Sequence, residues 1–258
     1  MRFTQDDRLL FIGDSVTDTG RDREDPSSLG GGYVRLIAEA LRSSTPPGRT
    51  PVTVLNKGLD GNRLRDLEAR WTADAVGAAP SALTVLIGIN DTWRHYDSGL
   101  PSPVPEFEAA YGRVLVRARE ACAPCLFVMT PFLLPATPGQ REWFDDLLPR
   151  TDAVLRAAEA HGATVVRTDL AMRHAAEEHG AAALAPDGVH PSPLGHRVIA
   201  DAWLAAAGAE RTERPVHTRH HGEPSGPTPR DERGAGGGAA RGQPVNNWVA
   251  LRTSSYSP

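Results

Sequence analysis

From residue 8 to about residue 207 the chain alternates short apolar runs with longer segments of helical period, and this restricts it to one broad architecture. The runs are Leu9 to Ile12, Val52 to Leu55, Leu83 to Ile87, Leu126 to Met129, and Val165-Val166. Apolar runs of strand length separated by helices are the pattern of a parallel sheet covered on both faces, so a five-stranded α/β fold is expected. Between the runs, Phe107, Tyr111, Val114, Leu115 and Ala118 fall on one helical face, and Leu64, Leu67 and Trp71 repeat at i, i+3 and i+7. A last helix is expected to start at Ser192, whose hydroxyl suits an N-cap, with Pro193 supplying a preset φ at the first helical position. Leu194, Val198, Ala202 and Trp203 would then face inward.

Beyond Gly208 the pattern stops. The stretch from Glu210 to Gly242 is rich in Arg, Gly, Pro and His and has no apolar periodicity, so it cannot bury enough surface to offset its chain entropy. A folded domain over residues 1–208 and a disordered Gly/Pro/Arg-rich tail over 209–258 are expected. The closing N-N-W-V-A-L-R is read as a free end, with a short docking element as the alternative.

Composition narrows the partners. A formal charge of -4, with no basic face before the tail, argues against nucleic acid. No apolar stretch approaches the ~20 residues of a membrane span. The opening M-R-F-T-Q-D-D-R lacks the features of a secretory signal, so a cytoplasmic location is expected. Cys122 and Cys125 close a helix rather than open one, which suits two reduced structural thiols. His217, His220 and His221 lie in the tail, where an adventitious metal contact is the most they suggest.

Four connections carry groups with chemical potential. Ser15 follows the first strand in F-I-G-D-S-V-T-D, at the strand end where ligands bind in open α/β sheets. L-N-K-G-L-D-G-N follows the second strand, and its glycines, Gly58 and Gly61, allow backbone N–H groups to approach a ligand. Asn90, in I-G-I-N-D-T-W after the third strand, can aim an amide at developing negative charge or cap the next helix. Asp187 and His190, in D-G-V-H-P, are close enough in sequence to touch. Each has an ordinary structural reading alone: a capped turn, a strand-to-helix bend, a surface hydrogen bond. Together they supply a nucleophile, oxyanion donors, a base and an orienting acid. Asp14 and Asp91 flank two of these groups, and turn hydrogen bonding explains them better than a metal does.

The G-D-S, the glycine of N-K-G-L-D-G, the G-x-N-D at 88–91 and the D-x-x-H at 187–190 resemble, in order, the four signature blocks of the SGNH (GDSL-type) hydrolases. The resemblance spans residues 8 to about 207. It looks closest to the acetylxylan and small carbohydrate esterases, on F-I-G-D-S-V-T-D-T-G-R, V-L-N-K-G-L-D-G-N, I-G-I-N-D-T-W-R-H-Y-D, M-T-P-F and V-H-P-S-P-L-G-H. It implies a three-layer α/β/α flavodoxin-like fold with sheet order 2-1-3-4-5, and a serine esterase needing no metal or cofactor. By position, Ser15 would be the nucleophile, His190 the base and Asp187 the orienting acid. The Ser15 N–H, the Gly61 N–H and the Asn90 amide would form the oxyanion hole.

The implied substrate is a short-chain ester, above all an acetylated sugar or xylo-oligosaccharide. Asp14, Trp93, Arg94 and Tyr96 are candidates for binding it, although aromatics after a strand also serve as lids or subunit contacts. Pro186 stands where close relatives can carry a bulky aromatic, which bears on acyl size. A lipase, lysophospholipase or thioesterase acting on longer chains is the alternative, and a non-catalytic binding protein on the same fold a remote one. A homo-oligomer is compatible with the resemblance.

Overall fold

The first strand, β1 (Arg8–Gly13), is buried along all but its first residue, as a strand in the middle of a covered sheet must be. The structure, a computed structural model, describes residues 3–122 and 125–209. The expected tail beyond residue 209 and the Cys122 side chain of the expected thiol pair lie outside the described residues.

In chain order the elements are β1, α1 (Ser15–Asp18), α2 (Tyr33–Ser43), β2 (Thr53–Gly58), α3 (Leu64–Trp71), β3 (Ala82–Leu86), α4 (Ile89–Ser98), α5 (Val104–Cys122), β4 (Cys125–Met129), α6 (Phe144–Ala160), β5 (Thr164–Val166), α7 (Thr168–His179), α8 (Ala181–Leu184) and α9 (Pro193–Ala206). All four strand pairings are parallel, and the order is β2-β1-β3-β4-β5. This is the expected three-layer fold. The strand order reverses about β1, which places the crevice for a ligand at the carboxyl ends of β1 and its neighbours.

Alternation along β1 divides the core in two. Leu9 and Phe11 pack with Val34 and Ile37 of α2 and Trp203 of α9, while Leu10 and Ile12 pack with Leu64, Leu67 and Trp71 of α3 and with Tyr111 and Val114 of α5. The expected faces of α3 and α5 are the buried ones. Trp203 is fully buried, and its indole N–H donates to Thr84 Oγ1 in β3 at 3.0 Å. Removing so large a side chain typically costs about 3–5 kcal/mol.

Two expectations need correction. The second strand begins at Thr53 and runs on through Asn56 and Lys57 to Gly58, past the end of the apolar run. Asn56 is buried there because its amide donates to Thr17 O (2.7 Å) and Leu29 O (3.0 Å) and its Oδ1 accepts from Gly58 N–H. On α9 the buried stripe is Gly195, His196, Ile199, Ala200, Trp203 and Leu204, so Leu194, Val198 and Ala202 sit on its flank. His196 takes the inward position because its Nδ1 accepts the Tyr33 N–H at the start of α2. Ser192 does cap this helix, accepting from Gly195 N–H.

One side chain ties the strand ends together. The Arg70 guanidinium donates to Gly13 O at the end of β1, to Lys57 O in β2 and to Asn62 Oδ1 in the loop that follows.

Candidate active site

Ser15 begins the single turn α1, directly after β1. The turn is set by Asp14, whose carboxylate accepts the Val16 N–H at 3.0 Å, an N-cap bond. Asp14 itself is 1% exposed. Burial pushes its carboxyl up to about 7 against the opposing Val16 hydrogen bond. A group so enclosed holds the turn and cannot line a substrate surface, so Asp14 leaves the set of candidate binding residues.

The loop before α9 brings the imidazole to the serine. His190 Nε2 lies 3.0 Å from Ser15 Oγ, across 175 residues of sequence. On the other side of the ring, Nδ1 lies 2.6 Å from Asp187 Oδ2. A carboxylate only accepts, so the ring proton belongs on Nδ1 and Nε2 is left to accept from the serine hydroxyl. Asp187 Oδ1 accepts from the N–H groups of Val189 and His190. Partial burial would raise the Asp187 carboxyl, but the His190 ring and these N–H groups outweigh it and hold it below the usual carboxylate range. Gln140, which the sequence did not single out, donates to Asp187 O at 2.8 Å and accepts from Ala136 N–H.

The loops after β2 and β3 meet beside this relay. Gly58 is required by space: a Cβ there would lie 2.3 Å from the Asp18 nitrogen of α1. Gly61 is required by conformation, with φ at +74°. The described residues give neither the Ser15 N–H nor the Gly61 N–H a hydrogen-bond acceptor. Asn90, 3% exposed in the first turn of α4, donates one amide N–H to Asn62 O at 3.1 Å. Its second amide N–H remains to be offered. Asp91 accepts from Leu64 N–H, 27 residues before it, and from Ser102 Oγ, 11 residues after it, so in place of the expected turn hydrogen bonding it joins separate segments.

The two flanks of the relay differ. On one, the Trp93 ring lies 5.8 Å from the His190 ring and 5.7 Å from Trp143. Tyr96 stacks on Trp143, and its hydroxyl donates to Glu142 O, so that hydroxyl is already engaged. Arg94 is paired with Asp97 and leans over Trp93. Of the aromatics the sequence proposed, Trp93 therefore sits next to the histidine and Tyr96 one ring behind it. On the other flank an open cleft of about 410 Å³ is lined by Ser15, His190, Thr19, Gly20, Asp18, Arg21, Arg23 and Asp60. Asp18, 5% exposed, organises this flank by accepting from Arg21 Nε, Arg23 and Asp60 N–H. The arginines stand in the T-D-T-G-R-D-R run after Ser15, where their polarity hid them among loop residues.

Among the described residues no helix is long and apolar enough to cross a membrane. No group of three or more His, Cys, Asp or Glu residues there is arranged to hold a metal ion.

Residues 11–198 match the family model described as GDSL-like Lipase/Acylhydrolase. An acetylxylan esterase of Geobacillus stearothermophilus is 35% identical over 223 residues, covering 81% of this chain and 98% of that protein. A crystal structure of an acetylxylan esterase from the same organism superimposes with a TM-score of 0.74 at 33% identity, over 83% of this chain and 100% of that one. An alpha/beta hydrolase enzyme from the metagenome of Lake Arreo, Spain, gives 0.74 at 32% identity, over 82% and 100%. Sheet order, motif order and these similarities agree: the chain belongs to the GDSL-like lipase/acylhydrolase family, a family of carboxylic ester hydrolases.

Proposed function

We propose that the protein is a serine esterase that removes short acyl groups, acetyl above all, from polyhydroxylated alcohols such as sugars or xylo-oligosaccharides, through an acyl-enzyme on Ser15. The observation that carries this reading is the hydrogen-bonded relay from Ser15 Oγ through His190 to Asp187, at 3.0 and 2.6 Å.

In the first half-reaction Ser15 Oγ attacks the ester carbonyl and passes its proton to His190 Nε2, while Asp187 holds Nδ1–H and offsets the imidazolium charge. The carbonyl oxygen, now negative, accepts from Ser15 N–H, Gly61 N–H and the free N–H of the Asn90 amide. Each such donor is typically worth ~3 kcal/mol in the transition state. The bond to the alcohol oxygen then breaks, and that oxygen takes the proton from Nε2. Water repeats the sequence: it gives a proton to Nε2, adds to the acyl carbon, and Ser15 leaves with the returned proton.

The substrate class rests on the cleft and the relatives together. A lining of two guanidiniums, two carboxylates and a threonine hydroxyl suits an alcohol with many hydroxyls better than an aliphatic chain. The acetylxylan esterase among the relatives acts on such an alcohol by its name.

Ser15→Ala tests the reading directly. It should fold as the parent does, lose all but a trace of turnover on p-nitrophenyl acetate and acetylated xylo-oligosaccharide, and take no fluorophosphonate label. Wild-type turnover in that variant would refute the mechanism, and faster turnover of octanoyl than acetyl esters by the parent would refute the acyl preference.

A further inference from the structure

The oxyanion donors assigned above sit on different elements, Gly61 in the loop before α3 and Asn90 in the first turn of α4. Their separation is therefore set by whatever joins those two helix starts. Two hydrogen bonds do so. One is the Asn90 amide on Asn62 O; the other runs from Leu64 N–H, the first amide of α3, to Asp91 Oδ2 at 3.0 Å.

A helix start ordinarily takes its cap from the residue before it. Here that residue is Arg63, whose side chain carries donors and cannot accept. Asp66 Oδ2 closes this start locally on the Arg63 N–H, and the Leu64 N–H takes its acceptor from a carboxylate 27 residues further on, the neighbour of Asn90. Asp91 is 2% exposed, so its charge needs partners. Ser102 Oγ donates to its second oxygen at 2.8 Å.

Ser102 in turn is gripped by Arg150, which is fully buried, donates to Ser102 O at 2.9 Å and approaches Ser102 Oγ at 3.4 Å. Arg150 also pairs with Asp146 at 2.9 Å, and Asp146 accepts from Thr92, two residues after Asn90. The guanidinium lies 4.6 Å over the Phe107 ring. Through Thr92 and Ser102 these contacts reach the first turn of α4 and the segment between α4 and α5.

We infer that Asp91, held by Ser102 and Arg150, is a positioning residue: it ties the start of α3 to the start of α4 and so fixes the spacing of the Gly61 and Asn90 donors. The inference rests on the serine esterase reading and assigns Asp91 a task beyond capping. A cap that served stability alone would shift the melting temperature and leave the developing oxyanion untouched. A spacer between donors acts on kcat and does so only through those donors.

The test is a double-mutant cycle on acetyl ester turnover, with Asp91→Ala, Asn90→Ala and the pair. Asn90→Ala should lower kcat on the order of 100-fold. Asp91→Ala should lower kcat roughly 30-fold with KM within about twofold, since a small misplacement of a donor forfeits most of its effect. In the Asn90→Ala background the same change should cost no more than about twofold, because the donor it positions is gone. Asp91→Asn keeps an acceptor for Leu64 N–H and should recover most of the loss. Should Asp91→Ala fail to fold, Ser102→Ala read in the same two backgrounds replaces it, with a loss of about threefold expected only where Asn90 is present.

Equal losses in both backgrounds, or unchanged kcat in Asp91→Ala, would overturn the positioning role and leave the esterase mechanism standing. Unchanged kcat in Asn90→Ala would overturn the oxyanion assignment, and the positioning role with it.

Discussion

The proposed oxyanion side of the site and its proposed acid–base side differ most in their access to water. Asn90 and Asp91 are 3% and 2% exposed, and their polar atoms are tied to α3 and to the segment before α5. The His190 and Asp187 side chains, a few ångströms from the nucleophile, are 45% and 49% exposed. Donors that must already point at a charge before it forms gain from a dry, fixed setting, where electrostatic interactions are strongest. A base that hands protons to an alcohol and takes them from water needs an opening. The site divides rigidity and access between two sets of loops.

That contrast can be broken by mutation. His190→Ala removes the proposed base outright and should lower kcat on the order of 10⁴-fold, measured with p-nitrophenyl acetate. Asp187→Ala should cost less, roughly 100-fold, because water can reach the exposed Nδ1 and replace part of the carboxylate's role. A loss as large as that of His190→Ala would mean the acid–base side is as sealed as the other. Gln140→Ala frees the Asp187 loop from the segment after β4 and should lower kcat only about threefold, with no change in melting temperature beyond about 2 °C.

The smallest effect concerns Asp14, beneath both sides. Its folded-state value of about 7 stands above the ordinary 3.8, so between about pH 4 and pH 7 the folded chain holds a proton the unfolded chain has lost. Stability from this group is therefore present at low pH and declines as pH rises through that window. Asp14→Asn keeps the acceptor for Val16 N–H and removes the titration. Its melting temperature relative to the parent should be roughly 5 °C higher at pH 8 than at pH 5, and a constant difference would contradict the raised value.

The sheet was legible because burial of β1, β3 and β4 leaves continuous apolar runs, and each run falls within a residue or two of the strand. The end of β2 was not, since Asn56 enters the core by satisfying its amide against Thr17 and Leu29, contacts that no local pattern contains. The Ser15, His190 and Asp187 cluster followed from motifs that carry their chemistry in adjacent residues. Gln140, Trp143 and Arg150 gave no such sign: each acts on a partner more than forty residues away in sequence, and an arginine four residues after an aspartate reads as a surface pair until its burial is seen.

The threefold grip of Arg70 on Gly13, Lys57 and Asn62 has a consequence for how the molecule tolerates change. Because one cation holds the exits of two strands and the bend after them, those three points travel together when α3 is displaced. Insertions at the outer rim, around 24–28, can thus reshape what the enzyme admits while the geometry at its centre is inherited unaltered.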